Sequence, residues 1–114
     1  NNPDMFITNR YGSVPDCGSV CEMLYRATAR RPRVIGKPQS AMALLAMEKW
    51  GYSPEETMLV GDRLYTDIAC GVNAGIDTAF VLSGEGTLRD LARSDVKPTW
   101  VFDDIAALHA ALRA

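Results

Sequence analysis

Several features are missing from this sequence of 114 residues, and each absence excludes a class of protein. No apolar run approaches the roughly 18 residues that a membrane-spanning helix needs, and no basic-then-apolar leader is present. The 12 basic and 14 acidic side chains leave a net charge of −2, so there is no excess of positive charge for nucleic acid or an anionic membrane. We therefore expect neither a nucleic-acid nor a membrane partner.

Cysteine is also scarce: the chain has three, and an odd number does not make a disulfide framework. Cys17 and Cys21 are one helical turn apart, but no second pair or nearby histidine completes a zinc site. We expect them to be small buried thiols in a reducing compartment, with the cytoplasm as the location.

Apolar runs and helical patterns alternate along the chain, which predicts an α/β fold with a parallel sheet of about four strands and flanking helices. Residues 1–16 have the composition of a loop. The predicted strands are 33–36, 57–60, 78–82 and 99–102. The residues predicted to face inward from helices are Val20, Met23, Leu24 and Ala27; Met42, Leu45, Ala46 and Trp50; Tyr65, Ile68, Ala69 and Val72; and Ile105, Leu108 and Leu112.

Capping residues place several helix ends. Ser53-Pro54-Glu55-Glu56 combines an N-cap, a proline at the first helical position and a capping-box glutamate, which predicts a short helical turn. Thr87 with Asp90 predicts the start of a brief helix, and Asp103 is the expected cap of the last one. We expect Trp50 and Tyr52 to pack against the core.

Three polar residues follow the predicted strands. Lys37 comes after one strand and Asp62 after the next, so right-handed crossovers would bring both to the same edge of the sheet, and Asp67 begins the following helix. Two carboxylates about 4 Å apart repel by roughly 4 kcal/mol at an effective dielectric near 20, so the pair needs a cation, a shared proton or distance. Mg²⁺ favours such oxygen ligands. The alternatives are helix-capping aspartates and a solvated lysine.

Three motifs carry a family resemblance: Val34-Ile35-Gly36-Lys37-Pro38, Leu59 to Ile68 with Gly-Asp and Thr-Asp, and Gly71-Val72-Asn73-Ala74-Gly75. Together they resemble the haloacid-dehalogenase-like (HAD) hydrolase superfamily. Within it, the chain is similar to the sugar, nucleotide and p-nitrophenyl phosphatases whose cap domain is inserted before the conserved lysine, and residues 81–85 and 86–88 also match this branch. The resemblance implies the C-terminal part of a Rossmannoid core in residues 33–114, preceded by a cap remnant in residues 1–32.

The resemblance also implies roles for individual residues. Lys37 would contact the nucleophile and the phosphoryl group, Asp62 would bind Mg²⁺ directly or through water, and Asp67 would support the metal shell. All three are expected to be catalytic, with Asp62 and Asp67 as the metal residues. Asn2 and Asp4, in the cap segment, together with Lys37, would bind a phosphorylated small-molecule substrate.

The sequence departs from the family pattern in lacking the Asp-X-Asp nucleophile motif and the hydroxyl residue of the second strand. Asp103-Asp104 and Ser83 do not stand at the required positions. We therefore expect a C-terminal portion of a Mg²⁺-dependent phosphomonoesterase that shows no turnover alone. This portion either self-associates through an exposed sheet edge or is marginally stable. The alternative is a non-catalytic module with weak metal binding. A phosphate-accepting receiver domain is disfavoured because Lys37 precedes Asp62.

Overall fold

The computed structural model describes residues 6–8 and 12–114, and the chain divides into two units, residues 1–36 and 37–114. The predicted substrate residues Asn2 and Asp4 lie outside the described residues. No helix in the described ranges is long and apolar enough to cross a membrane.

The first unit contains an antiparallel hairpin and one helix. Strand β1 (Phe6–Thr8) pairs with β2 (Gly12–Val14), so the prediction of a loop over residues 1–16 is wrong for these two segments. Strands of three residues are too short to show an alternating pattern in sequence. Helix α1 (Cys17–Thr28) follows Asp16, and its expected inward residues Val20, Met23 and Leu24 are at least half exposed.

The second unit begins with helix α2 (Ala41–Trp50), and the remaining elements alternate around a sheet. In chain order they are a 3₁₀ turn (Pro54–Glu56), β3 (Met58–Gly61), a π-helical turn (Leu64–Ile68), α3 (Ala69–Ala74), β4 (Asp77–Val81), α4 (Leu88–Arg93), β5 (Trp100–Phe102) and α5 (Ile105–Arg113).

The sheet is parallel, as predicted, with the strand order β3-β4-β5. Val60 is aligned with Ala79, and Ala79 with Trp100. The parallel sheet has three strands rather than about four, because Arg33–Gly36 forms no strand. A short apolar run becomes a strand only when a neighbour completes its hydrogen-bond ladder, and the described residues give this segment no partner strand.

The core lies over the central strand β4. Phe80 and Ile68 are fully buried and pack with Leu64, and the partly buried Leu82, Leu91 and Val96 surround them. This cluster anchors the segment that follows β3, and this segment carries both predicted aspartates.

The helix predicted after β3 begins as a π-helical turn, in which the Ile68 amide donates to the Arg63 carbonyl five residues earlier. The extra residue in this turn changes which side chains face the core. Leu64, Thr66, Asp67 and Ile68 are buried, whereas Tyr65 and Val72, predicted to face inward, are 45% and 49% exposed.

Two other predicted faces also differ. In α2 the buried residue is Met47, and Met42, Leu45 and Trp50 are exposed. Tyr52 is exposed as well, so the expectation that Trp50 and Tyr52 pack is wrong. In α5 only Leu108 of the predicted face is buried.

The helix caps follow the sequence more closely. The Ser53 amide donates to Glu56 Oε2 (2.9 Å) and the Asp90 amide donates to Thr87 Oγ1 (3.2 Å), as predicted. Helix α5 is capped by Asp104, whose Oδ1 accepts from the Ala107 amide at 2.8 Å, and not by Asp103. Asp103 stands one residue too early for its side chain to reach this amide in the usual capping geometry.

Candidate active site

Asp62 and Asp67 are brought to the carboxyl end of β3 by the strand and the π-helical turn that follows it. The strand ends at Gly61, where a Cβ atom would lie 2.2 Å from the Cβ atom of Asp67. Glycine is therefore required at this position for Asp67 to pack against the strand end. Open α/β folds bind their ligands at the carboxyl ends of the parallel strands.

Lys37 and Asp67 form an ion pair between Nζ and Oδ1. The Asp67 side chain is 9% exposed and that of Lys37 is 46% exposed, so the carboxylate is buried while the ammonium faces solvent. Asp67 Oδ2 accepts a hydrogen bond from the Arg63 amide at 3.2 Å. Both oxygens of Asp67 are thus engaged within the protein.

Helix α3 holds the backbone next to Lys37. The Cys70 thiol donates to the Gln39 carbonyl at 3.1 Å, and Asn73 Nδ2 donates to the Pro38 carbonyl at 2.9 Å. Burial raises the pKa of the Cys70 thiol, although the charge of Lys37 acts in the opposite direction. A raised pKa keeps the thiol protonated, as its role as a donor requires.

Asp62 is held by the loop that follows β4. Its Oδ2 accepts from the Glu85 amide at 2.7 Å, and its carbonyl accepts from the Gly86 amide at 2.9 Å. A Cβ atom on Gly84 would lie 2.1 Å from Asp62 Oδ2, so the loop approaches the carboxylate at a distance that only glycine permits. The hydrogen bond occupies the Oδ2 atom of the carboxylate.

The Glu85 side chain joins the same network. Its Oε2 pairs with Arg63 Nε at 2.5 Å, and its Oε1 accepts from the Tyr65 hydroxyl at 2.8 Å. Burial disfavours the charge of Arg63, but Glu85, Tyr65 and Asp62 together outweigh this effect, so the pKa of the guanidinium is raised.

The donor set fits a divalent cation only in part. In the described part of the chain no group of three or more His, Cys, Asp or Glu side chains is arranged to hold a metal ion. Asp62 offers a hard carboxylate oxygen of the kind that Mg²⁺ prefers, whereas Asp67 is already bound by Lys37 and the Arg63 amide. The geometry therefore favours Asp62 as a direct ligand and Asp67 as the group that positions Lys37.

The sequence predicts Lys37, Asp62 and Asp67 as site residues. In the structure Lys37 contacts Asp67, and Asp62 lies at the carboxyl end of β3. Cys70, Asn73 and Glu85 were assigned no role from sequence. Their contacts join residues 23 to 35 positions apart, which no local pattern records.

Comparison with known proteins gives consistent matches. The family model described as HAD-hydrolase-like matches residues 34–108. The ribonucleotide monophosphatase NagD of Escherichia coli is 36% identical over 107 residues, covering 94% of this chain and 42% of that protein. The chain thus spans less than half the length of this curated relative.

Solved structures agree with the sequence matches. The 4-nitrophenylphosphatase of Thermotoga maritima superposes with a TM-score of 0.87 and 40% identity, covering 96% of this chain and 42% of that protein. The glycerol phosphate phosphatase of Mycobacterium tuberculosis, solved in complex with magnesium, gives a TM-score of 0.84 and 34% identity, covering 95% of this chain and 33% of that protein.

Proposed function

Because this chain belongs to the HAD-hydrolase-like family, we propose that it supplies the lysine and metal-binding part of a Mg²⁺-dependent phosphomonoesterase. The observation that carries the proposal is the Lys37–Asp67 ion pair beside Asp62 at the carboxyl end of a parallel sheet. The three relatives named above act on different compounds, but each is a phosphatase by name. The shared chemistry is therefore hydrolysis of a phosphomonoester of a small molecule.

Each residue has a separate task in this proposal. Asp62 would hold Mg²⁺ through its carboxylate, and the bound ion would neutralise negative charge on the phosphoryl group. Lys37 directs its ammonium group toward the same phosphoryl oxygens, and the buried Asp67 fixes the position of that ammonium. Asn2 and Asp4 contribute substrate contacts from the cap remnant, residues 1–32, while residues 33–114 form the core.

The nucleophile is not among the 114 residues, which contain no Asp-X-Asp sequence. We therefore propose that these residues do not hydrolyse phosphate esters by themselves and need a segment carrying this motif. The same absence, with the lack of a three-ligand group among the described residues, favours a non-catalytic module with weak metal binding as the second candidate.

A chimera tests the proposal directly. Residues 1–114 would replace the matching segment of the Thermotoga maritima 4-nitrophenylphosphatase, and hydrolysis of p-nitrophenyl phosphate would be followed with and without Mg²⁺. We expect Mg²⁺-dependent activity that falls by about 100-fold or more in Lys37→Ala and Asp62→Asn, as for the loss of a group that stabilises transition-state charge. Lys49→Ala and Asp95→Asn, on exposed residues of the same unit, serve as matched controls.

The outcomes separate the two candidates. Near-normal activity in either site variant would refute the assigned roles. A folded chimera without activity would favour the non-catalytic module. Hydrolysis by the 114 residues alone, if abolished in Asp62→Asn, would show that another residue acts as the nucleophile.

A further inference from the structure

We propose that Glu85 is a positioning residue for the Asp62 carboxylate, an inference that rests on the metal-binding role proposed above for Asp62. Glu85 belongs to the loop Ser83–Gly86, here called the clamp loop, which follows β4. Neither family resemblance nor local sequence pattern gives this glutamate a task.

The clamp loop grips Asp62 through its backbone. The amides of Glu85 and Gly86 donate to the Oδ2 atom and the carbonyl of Asp62, respectively, at 2.7 and 2.9 Å. The hydrogen bond to the carboxylate is charge-assisted and therefore stronger than one between neutral groups. These two bonds fix the position of both the main chain and the side chain of Asp62.

The Glu85 side chain is what holds the clamp loop in this position. Its two oxygens are bound by Arg63 Nε and the Tyr65 hydroxyl, which both belong to the segment that immediately follows Asp62. The contacts close a ring, because Asp62 is bonded to Arg63, Arg63 pairs with the Glu85 side chain, and the Glu85 amide returns to Asp62. The Arg63 and Glu85 side chains are only 25% and 27% exposed, so solvent weakens this pair less than a surface pair.

The consequence is that one oxygen of Asp62 is fixed before any cation arrives. A carboxylate held at Oδ2 rotates less freely, so less rotational freedom is lost when a metal binds. Removal of partners that orient a metal ligand typically lowers metal affinity by about 10- to 100-fold. The ring should therefore affect metal affinity although Glu85 itself does not bind the ion.

The first test needs no metal and uses amide hydrogen exchange of the 114-residue chain. In Glu85→Ala we expect the amides at positions 85 and 86 to lose protection by about tenfold or more, because the loop is released. Glu85→Gln keeps an acceptor for Tyr65 and should lose less. Glu48→Gln, at an exposed position in α2, is the matched control. Unchanged protection in Glu85→Ala would overturn the inference. If Glu85→Ala does not fold, the same measurement on Glu85→Gln decides, and unchanged protection there would overturn the inference.

The second test measures Mn²⁺ binding to the same chain through paramagnetic broadening of the Asp62 amide signal. We expect about tenfold weaker binding in Glu85→Ala and in Arg63→Met, and no further loss in the double variant, since both break one ring. If the parent chain binds Mn²⁺ and Glu85→Ala binds it with the same affinity, the inference is overturned. If Mn²⁺ does not broaden the signal in the parent chain, or still broadens it in Asp62→Asn, the result counts against the proposed function. The hydrogen-exchange experiment then still decides the role of Glu85.

Discussion

Each aspartate of the candidate site packs against a glycine that is not adjacent to it in sequence. Asp67 packs on Gly61, and Asp62 packs on Gly84, with hypothetical Cβ atoms 2.2 and 2.1 Å from the respective side chains. Gly61 precedes Asp62 in sequence, yet it is Asp67 that occupies the space where a side chain at position 61 would lie. The two glycines therefore belong to the site as much as the carboxylates do.

Gly61→Ala should disrupt the Lys37–Asp67 pair. The backbone of β3 cannot move without breaking its pairing with β4, so the new methyl group must displace Asp67. We expect the free energy of unfolding in urea to fall by about 1–3 kcal/mol, as for other overpacked sites. Amide chemical shifts should change at Asp67 and around Lys37.

Gly51→Ala is the control for this substitution. Gly51 has φ +72° and open space around its hypothetical Cβ atom, so its variant suffers backbone strain of about 1–2 kcal/mol without a clash. Its chemical-shift changes should stay near the end of α2. Unchanged stability and unchanged Asp67 shifts in Gly61→Ala would contradict the packing argument.

The sequence could supply the three charged residues of the site but not their supports. Lys37 and Asp62 stand out because each follows an apolar run, and Asp67 stands out because it begins the predicted helix after Asp62. The supports are backbone carbonyls and amides contacted across the fold, as when Asn73 binds the Pro38 carbonyl or Glu85 binds Asp62 through its amide. Such contacts depend on tertiary structure and leave no spacing signal.

Among the secondary-structure elements, ends were easier to predict than faces. The caps at Ser53 and Thr87 depend on residues three positions apart, which sequence shows directly. The buried face of α2 could not be chosen, because apolar residues surround the whole helix and only Met47 is buried. The sequence predicts α-helical spacing after β3, but the π-helical turn there buries Leu64, Thr66, Asp67 and Ile68 instead.

Helix α5 depends on Asp104 for its N-terminal cap. Asp104→Ala removes the acceptor of the Ala107 amide and should lower the free energy of unfolding by about 1 kcal/mol. Asp103→Ala changes the adjacent exposed aspartate, and its effect should stay within about 0.5 kcal/mol. Urea denaturation of both variants gives the comparison, and equal destabilisation would show that Asp104 is not the dominant cap.

For the whole molecule, the alternation of strands and helices correctly predicted a parallel α/β sheet. The number of strands was overestimated because a strand needs a partner as well as an apolar run. Arg33–Gly36 has the run, but none of the described residues pairs with it in a ladder. Pairing is a property of the assembled sheet, so one segment of sequence does not determine it.

Strand β3 lies at one edge of the parallel sheet. Among the described strands β3 pairs only with β4, and Val60 on β3 is 38% exposed. An unprotected edge strand is a template for another chain, so we expect the 114-residue chain to self-associate as its concentration rises. Sedimentation velocity over a concentration series measures this directly.

A charged side chain on the edge should oppose the association. We expect Val60→Lys to shift the chain toward monomer, because pairing at β3 would bury the added ammonium group. Val72→Lys, on the exposed face of α3, is the matched control and should leave association unchanged. Val101→Lys tests β5, the other outer strand, where Val101 is 39% exposed. A cooperative monomer at every concentration, or association that Val101→Lys but not Val60→Lys prevents, would rule out pairing through β3.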